Sequence, residues 1–314
     1  MLTRFKLTSL LSSPHSTLRL LSTAVAGVGV PIGPPPIRVA LTESAGRGVF
    51  ATRRIGIGEV IHTAKPVVSH PSLSSVGSVC YYCLRRLRDG GGCGVRFCSE
   101  ECRSQSKSFL EVEKKVDWSI YHDSCRSYGL KYPLLVKRLA CIAIAGGASP
   151  DCLDILQPES LSHEAISRVQ AEYALLRTAL VAANFSEEDL KFLTNQWYVG
   201  VLARVRINAF RIKLVPGSFE DILSTAVASV DHEDAVGNAV YILPSFYNHD
   251  CDPNANIIWI DNVDAKLKAL REIEEGEELR ICYIDASMDR DARQNILQHG
   301  FGFKCSCHRC ESGD

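Results

Sequence analysis

Cysteines in the last quarter of the sequence have the spacing of metal ligands. Three of them are separated by one and two residues in the tail: Cys305, Cys307 and Cys310. A structural zinc ion takes four ligands in a tetrahedral shell, so this group lacks one ligand. Cys251, in the turn-rich stretch "FYNHDCDPNAN" at 246–256, is the predicted fourth ligand. Two alternatives remain open, because Cys251 is also placed to be a nucleophile beside His249 or an ordinary buried thiol.

A second group of cysteines lies between residues 80 and 125. Two short spacings, C-x-x-C and C-x-x-x-C, supply four predicted thiolate ligands: Cys80, Cys83, Cys98 and Cys102. A further site would use Cys93, His122 and Cys125, but it lacks a fourth ligand because Gly90 stands where a cysteine partner of Cys93 would be. The sequence therefore predicts two zinc sites and leaves open whether a third is metal-free or is completed by water or another group.

The composition indicates a globular protein in a reducing compartment. The chain has 314 residues, of which 46% are hydrophobic, and a formal net charge of −1. This near-neutral charge does not favour direct binding of nucleic acid, and no apolar run approaches the roughly 20 residues of a membrane helix. Thirteen clustered cysteines in a chain of this length fit metal binding better than a framework of disulfides.

Residues 1–36 have the composition of an organellar transit peptide followed by a linker. They contain three basic residues, many serines and threonines and no acidic residue, and they end in "GPPP". Such cationic segments are read by import receptors, which predicts a mitochondrial or plastid location. The alternative is a disordered tail that happens to lack acidic residues.

The remaining sequence alternates between strand and helix patterns. Residues 37–79 and 237–300 contain short β-branched runs with turn signals, whereas residues 126–236 contain apolar residues at helical spacing, including a predicted helix that starts at Ser186. The cysteine-rich segment 80–125 has too few apolar residues for a core of its own and must be folded by metal. We predict an α+β fold in which a zinc finger (residues 80–125) and a helical insert interrupt a single core. The two strand regions must then meet in space. The last segment, 301–314, is predicted to be a zinc-binding tail.

An ordered series of motifs resembles the family of SET-domain protein lysine methyltransferases that carry an inserted MYND zinc finger, including the plant trithorax-related single-SET proteins. Besides the cysteine module, the motifs are "GRGVFATRRIGIGEVI" at 46–61, "INAF" at 207–210, "NHDCDPN" at 248–254, "EEGEELRICYID" at 274–285 and "FGFKCSCHRC" at 301–310. The resemblance spans about residues 38–310. It implies a SET fold of small curled sheets in which the segment containing Asn248 and His249 passes near the tail and forms a pseudoknot.

The resemblance also implies a binding site for S-adenosyl-L-methionine. The positions that match the family's cofactor-binding residues are Gly46, Arg47, Gly48, Asn208, Asn248, His249, Tyr283 and Phe303. Tyr283 matches the tyrosine beside the transferred methyl group. Tyr241 and Phe301 are further candidates for the aromatic lysine channel, with an alternative role for each as a packing aromatic.

The predicted function is transfer of a methyl group from S-adenosyl-L-methionine to a lysine side chain, with histones among the candidate substrates and Zn²⁺ as structural metal. Relatives that act on histones favour the nucleus, whereas the N-terminal composition favours an organellar protein substrate. Two other classes remain open. One is a non-catalytic adaptor whose MYND finger binds proline-rich peptides, and the other is a hydrolase built on Cys251 and His249.

Overall fold

Short β-strands from two distant parts of the chain form the framework of the molecule. The computed structural model describes residues 33–88, 94–215 and 235–314, so Cys93 and nearly all of the predicted transit peptide lie outside the described residues. The strands in these ranges are β1 (Ile37–Leu41), β2 (Arg47–Ala51), β3 (Val60–Ala64), β4 (Val68–Pro71), β5 (Ala209–Ile212), β6 (Gly237–Val240), β7 (Asn248–His249), β8 (Ala255–Ile258), β9 (Ala265–Ala269) and β10 (Glu278–Ile281).

The described strands pair into three small sheets. Their strand orders are β1-β2-β10-β7, β3-β9-β8 and β4-β6-β5. Strand β10 pairs antiparallel with β2, where Leu279 lies opposite Val49, and parallel with β7, where Ile281 lies opposite His249. The predicted meeting of the two strand regions is confirmed, because β2, β3 and β4 each pair with a strand that follows residue 236.

Strands β8, β9 and β10 have a burial pattern that alternates along the chain. In β9, "AKLKA", Ala265, Leu267 and Ala269 are buried, while the two intervening lysines are partly exposed. Successive side chains of a strand point to opposite faces, so this alternation puts one face on the core and the other toward solvent. The predicted strand segments "NIIWI" and "LRICYI" overlap β8 and β10, each of which begins one residue earlier.

Helices cover these sheets and form most of the inserted region. The helices of the described chain are α1 (Glu100–Gln105), α2 (Lys107–Lys115), α3 (Ser119–Ser127), α4 (Tyr132–Ile144), α5 (His163–Ala182), α6 (Asn195–Asn208), α7 (Arg290–Phe301) and α8 (His308–Glu311), with a short 3₁₀ turn at Pro244–Phe246. None of the helices in the described ranges is long and apolar enough to cross a membrane.

Helix α6 starts later than the sequence predicts. Ser186 and Asp189 do exchange the bonds of a capping box, since Asp189 N donates to Ser186 Oγ (3.2 Å) and Ser186 N donates to Asp189 Oδ2 (3.0 Å). These bonds close only a turn. The helix begins at Asn195, where Thr194 Oγ1 accepts a hydrogen bond from Trp197 N at 3.1 Å. The predicted start was wrong because a local capping pattern does not guarantee that a helix continues.

Helix α4 is buried along most of its length and joins the finger to the sheets. Its core residues include two charged side chains, Lys137 and Arg138, which are 0% and 1% exposed. Arg138 Nε donates to Glu113 Oε1 on α2 (2.9 Å), and Arg138 Nη1 donates to Ser69 O on β4 (3.0 Å). Buried charges are stable only when they are paired and hydrogen-bonded. This network therefore fixes α2 and α4 against the sheet that contains β4.

Candidate active site and metal centres

A cleft of about 1040 Å³ lies where β2, β7 and β10 meet the C-terminal tail. Most of the residues predicted to bind cofactor or substrate line this one cleft: Gly46, Arg47, Asn208, Asn248, His249, Tyr283, Phe301 and Phe303. They come from five separate segments of the sequence. The polar side chains among them and the aromatic group of Tyr283, Phe301 and Phe303 together fit a ligand such as S-adenosyl-L-methionine, which has a zwitterionic end and a flat adenine ring.

Two predicted residues lie outside the cleft lining. Gly48 packs beneath it, where an added Cβ would lie 2.6 Å from Glu278 Oε1 and 3.1 Å from Asn248 Nδ2. Only a residue without a Cβ permits this close approach. Gly48 thus supports the wall of the cleft, whereas Gly46, in the left-handed backbone region at φ +77°, forms the turn that opens onto it.

Tyr241 is a core residue, which corrects its prediction as a channel residue. Its side chain is 0% exposed, its hydroxyl donates to Val263 O at 2.5 Å, and it accepts from Trp259 Nε1 at 2.9 Å. The ring of Phe210 lies edge-on at 5.6 Å between centroids. Phe210 and Trp259 line the cleft, so Tyr241 packs behind them. The sequence alternative, a packing aromatic, describes this position.

Asn248 fastens three strands at the floor of the cleft. Its Nδ2 donates to Arg47 O at 3.1 Å and to Glu278 Oε1 at 2.7 Å. Arg280 Nη2 pairs with Glu278 Oε2 at 2.6 Å. The sequence analysis did not predict Glu278 and Arg280 as site residues. They are two residues apart on a strand, so their side chains lie on the same face of the sheet.

His249 connects the cleft to the neighbouring cysteines. Its Nδ1 accepts a hydrogen bond from Tyr283 N at 3.1 Å, and its Nε2 lies 3.3 Å from Cys251 Sγ. A neutral imidazole whose Nδ1 accepts carries its proton on Nε2, so the ring donates to the sulfur. Burial lowers the pKa of His249 to about 4, which keeps the ring neutral near pH 7. The ring therefore does not act as a base toward Cys251, which weighs against the hydrolase alternative.

Tyr283 forms part of an aromatic wall. Its hydroxyl donates to Tyr247 O at 2.6 Å, and burial raises the pKa of this phenol above its usual value. The Tyr283 ring lies 5.0 Å from the Phe301 ring and 6.4 Å, nearly perpendicular, from the Phe303 ring. Such edge and tilted contacts are favourable geometries for aromatic pairs. The hydroxyl is therefore neutral and fixed, with the ring facing the tail.

Two four-cysteine groups have the geometry of zinc sites. In each group the four sulfur atoms lie within 4.8 Å of one another: Cys80, Cys83, Cys98 and Cys102 form the first group, and Cys251, Cys305, Cys307 and Cys310 form the second. Sulfurs around a tetrahedral zinc with bonds of about 2.3 Å are about 3.8 Å apart. The sulfur of Cys251 lies 3.5 Å from that of Cys310 and 3.9 Å from that of Cys305. Both groups fit Zn²⁺, as predicted, and the role of Cys251 as the fourth tail ligand fits this geometry.

A buried arginine beside the tail group escaped sequence reasoning. Arg293 is 0% exposed, and its Nη2 lies 3.9 Å from Cys310 Sγ. Four thiolates around one Zn²⁺ leave a net negative charge, which a nearby guanidinium offsets. His122 and Cys125, predicted for a third site, both lie on α3, and within the described ranges they belong to no group of three close metal ligands.

The fold and this site define a SET-domain protein. The family model described as SET domain matches residues 46–284, and the chain belongs to that family. It is 62% identical to histone-lysine N-methyltransferase ATXR4 of Arabidopsis thaliana over 90% of this chain and 88% of that protein. It is 25% identical to a SET and MYND domain-containing protein of Dictyostelium discoideum, over 80% of this chain and 76% of that protein. Among solved structures, the SET domain of LSMT bound to lysine and AdoHcy matches 86% of this chain and 53% of that chain, with 14% identity and a TM-score of 0.38.

Proposed function

We propose that this protein is an S-adenosyl-L-methionine-dependent protein-lysine N-methyltransferase. The observation that carries the proposal is the single cleft that brings the turn at Gly46, the Asn248-His249 segment and the Tyr283 aromatic wall together. Membership of the SET family supports it, as does the 62% identity to a plant protein named as a histone-lysine N-methyltransferase.

The cofactor half of the cleft is formed by polar side chains and Phe303. When bound, S-adenosyl-L-methionine supplies an electrophilic methyl group on a positively charged sulfur. We assign Gly46, Arg47, Asn208, Asn248, His249 and Phe303 to holding it, as the family resemblance implies. Gly48 acts one layer beneath, because it allows Asn248 to reach both Arg47 O and Glu278.

The substrate half of the cleft must accept a neutral lysine amine. A free lysine titrates near ~10.4, and a dry channel beside a positive charge lowers that pKa. Tyr283 and Phe301 supply apolar ring faces that exclude water, and the bond from the Tyr283 hydroxyl to Tyr247 O holds the ring in place. Methyl transfer in line needs alignment more than a general base. The role of these residues is therefore to orient the amine toward the methyl group.

We propose a histone lysine as the first substrate to test, because the 62% identical relative is named for that activity. A non-histone substrate is the second candidate, and the charge of the cleft favours it. Arg211 and Lys304 line the cleft, and the carboxylate of Glu278, which also lines it, is already paired with Arg280. A basic lining attracts acidic substrate segments more strongly than it attracts the basic tails of histones.

Labelled S-adenosyl-L-methionine distinguishes these possibilities. The full chain is incubated with core histones, with organelle extract and with lysine peptides whose flanking residues are either acidic or basic. Label on any lysine supports the activity, and the preferred flanks identify the substrate class. No transfer to any lysine, together with no binding of S-adenosyl-L-methionine in calorimetry, would overturn the proposal and favour an adaptor whose finger binds proline-rich peptides.

Location decides which substrates the protein meets. The composition of residues 1–36 supports import into a mitochondrion or plastid, whereas the name of the Arabidopsis relative supports the nucleus. A fusion of residues 1–40 to a fluorescent reporter tests the organellar proposal. If the reporter is imported, the imported protein cannot meet nuclear histones, so its substrate is a different protein. A reporter that stays outside both organelles contradicts the transit-peptide assignment.

A further inference from the structure

A buried lysine side chain contacts His122, one of the ligands predicted for the finger's third metal site. Lys137, on α4, is 0% exposed. Its Nζ lies 3.3 Å from His122 Nε2 and 3.5 Å from Glu113 Oε1, and 5.1 Å from the centroid of the Trp118 ring. His122 is one of the predicted ligands of that site. One of its two possible metal-binding nitrogens, Nε2, therefore faces an ammonium group.

We propose that the Lys137 ammonium replaces a metal ion in this half of the finger, so that the chain binds two zinc ions, one in each four-cysteine group. The Nε2 lone pair of His122 accepts a hydrogen bond from the ammonium and is not available to a metal. A dication at bonding distance from Nε2 would lie within a few ångströms of a buried positive charge, in surroundings that screen the repulsion poorly.

The surroundings of Lys137 satisfy the ammonium without any metal. It has three N–H donors, and it meets an imidazole nitrogen, a carboxylate oxygen and the face of an indole ring. Glu113 is the shared counter-ion, since Arg138 Nε also donates to its Oε1 at 2.9 Å and the Tyr81 hydroxyl donates to its Oε2 at 2.9 Å. A stable buried charge requires this degree of pairing.

The ligand count of the sequence points the same way. Structural zinc sites are closed by four protein ligands. At this site the residue that would complete a pair with Cys93 is Gly90, which has no side chain, so the cysteine and histidine ligands predicted for it number three: Cys93, His122 and Cys125. The finger thus combines one four-cysteine zinc site with a buried ion cluster that attaches its second half to α4.

Metal analysis of the purified full chain tests this inference, because its readout is independent of activity. Mass spectrometry of protein grown with ample zinc is expected to give two zinc ions per chain. Cys102→Ser, in the first four-cysteine group, is expected to lower the count to one, whereas His122→Asn and Cys125→Ser keep it at two. Three zinc ions in the native chain, or the loss of one in Cys125→Ser, would overturn the inference.

X-ray absorption at the zinc edge gives a second test that needs no variant. Two four-cysteine sites predict a coordination shell of sulfur alone, with no scattering from imidazole. A contribution from imidazole nitrogen would show that a histidine binds zinc, and it would contradict the inference that both zinc ions lie in four-cysteine groups.

Discussion

His249 Nε2 lies 3.3 Å from Cys251 Sγ, while Nδ1 of the same ring accepts a hydrogen bond from Tyr283 N at 3.1 Å. One imidazole thus bridges a predicted zinc ligand and the backbone of Tyr283, the residue that we propose lies beside the transferred methyl group. Because the ring is neutral, its role is to hold Cys251 and Tyr283 in position and not to transfer a proton between them. The metal centre of the tail and the cleft are therefore one structural unit.

Replacement of Cys251 by serine tests whether the metal site of the tail supports the cleft. Cys251→Ser is expected to remove one zinc ion per chain and to raise the Kd for S-adenosyl-L-methionine by roughly tenfold or more, a loss typical when support of a bound ligand is removed. The tail that carries Phe303 would lose its attachment to the His249 loop. Metal analysis and calorimetry are made on the same sample.

The matched control for Cys251 is Cys152→Ser, since Cys152 belongs to neither four-cysteine group of the described chain. It is expected to keep both the zinc content and the cofactor affinity. Full retention of zinc and of affinity in Cys251→Ser would contradict the proposed link between the tail and the cleft.

Gly48→Ala is expected to damage the cleft without adding any polar group. The new Cβ would lie 2.6 Å from Glu278 Oε1 and 2.7 Å from Thr42 Cγ2, so β2 or Glu278 must shift. Overpacking of this kind costs about 1–3 kcal/mol of unfolding free energy. Because Glu278 holds Asn248, cofactor affinity falls as well. Urea unfolding and calorimetry measure the two effects.

Gly300→Ala is the control for that substitution. Gly300 lies in α7, and an added Cβ meets no heavy atom within 4 Å. Alanine in a helix is more stable than glycine by up to about 1 kcal/mol, so this variant is expected to be neutral or slightly stabilised. Equal behaviour of the two alanine variants would show that Gly48 is not constrained by its neighbours.

Some features of the site could be predicted from the sequence and others could not, and in each case the reason is physical. The fourth tail ligand, Cys251, was predictable because a zinc ion requires four ligands and local spacing supplied three. The role of Tyr241 was not, since burial behind Phe210 depends on contacts between distant segments. Lys137 was missed for the same reason, because its partners on α2 and α3 become neighbours only in the folded chain.

Glu113→Gln is expected to destabilise the protein strongly. Burial alone would raise the pKa of Glu113, but Arg138 and Lys137 hold it below its usual value, so the carboxylate is charged and paired with both. Removing one member of a buried ion cluster typically costs about 3–5 kcal/mol, because the remaining charges lose their partner. Denaturant unfolding measures the loss.

Glu111→Gln provides the comparison for Glu113. Glu111 lies two residues away on α2, where its side chain is 65% exposed and pairs only with exposed Lys114 in the described structure. Surface ion pairs contribute about 0–1 kcal/mol, so little change is expected. If Glu113→Gln were as stable as Glu111→Gln, the buried ion cluster would not hold the finger against α4.

Stability is expected to decrease as the pH falls from 6.5 toward 4, partly through His62. Burial lowers the pKa of His62 to about 4 in the folded chain, against 6.5 for an exposed histidine. Between these values the unfolded chain binds a proton that the folded chain does not, so up to about 1.4 kcal/mol per pH unit is lost on acidification. Urea unfolding at pH 7.5, 6.5 and 5.5 in zinc-containing buffer measures this slope.

His62→Gln separates this contribution from the others. Glutamine does not titrate but can still bond to the Tyr247 hydroxyl, which lies 3.0 Å from His62 Nε2. A smaller slope between pH 6.5 and 5.5 is expected in this variant, whereas His299→Gln, at an exposed position, keeps the native slope. An unchanged slope in His62→Gln would show that His62 is not held neutral by the fold.

The most direct test of the central claim is the transfer of labelled methyl groups by three proteins: the native chain, Tyr283→Phe and Tyr128→Phe. Tyr128 is 77% exposed and does not line the cleft, so it controls for the loss of a phenol hydroxyl. We predict methylated lysine, identified by peptide mass spectrometry, with the native chain and with Tyr128→Phe. For Tyr283→Phe we predict a kcat at least about tenfold lower, or about 1.4 kcal/mol in the barrier, because the ring loses its bond to Tyr247 O. Equal transfer by Tyr283→Phe and the native chain would contradict the role assigned to Tyr283. If none of the three proteins transferred methyl groups or bound the cofactor, the proposed methyltransferase activity would be contradicted.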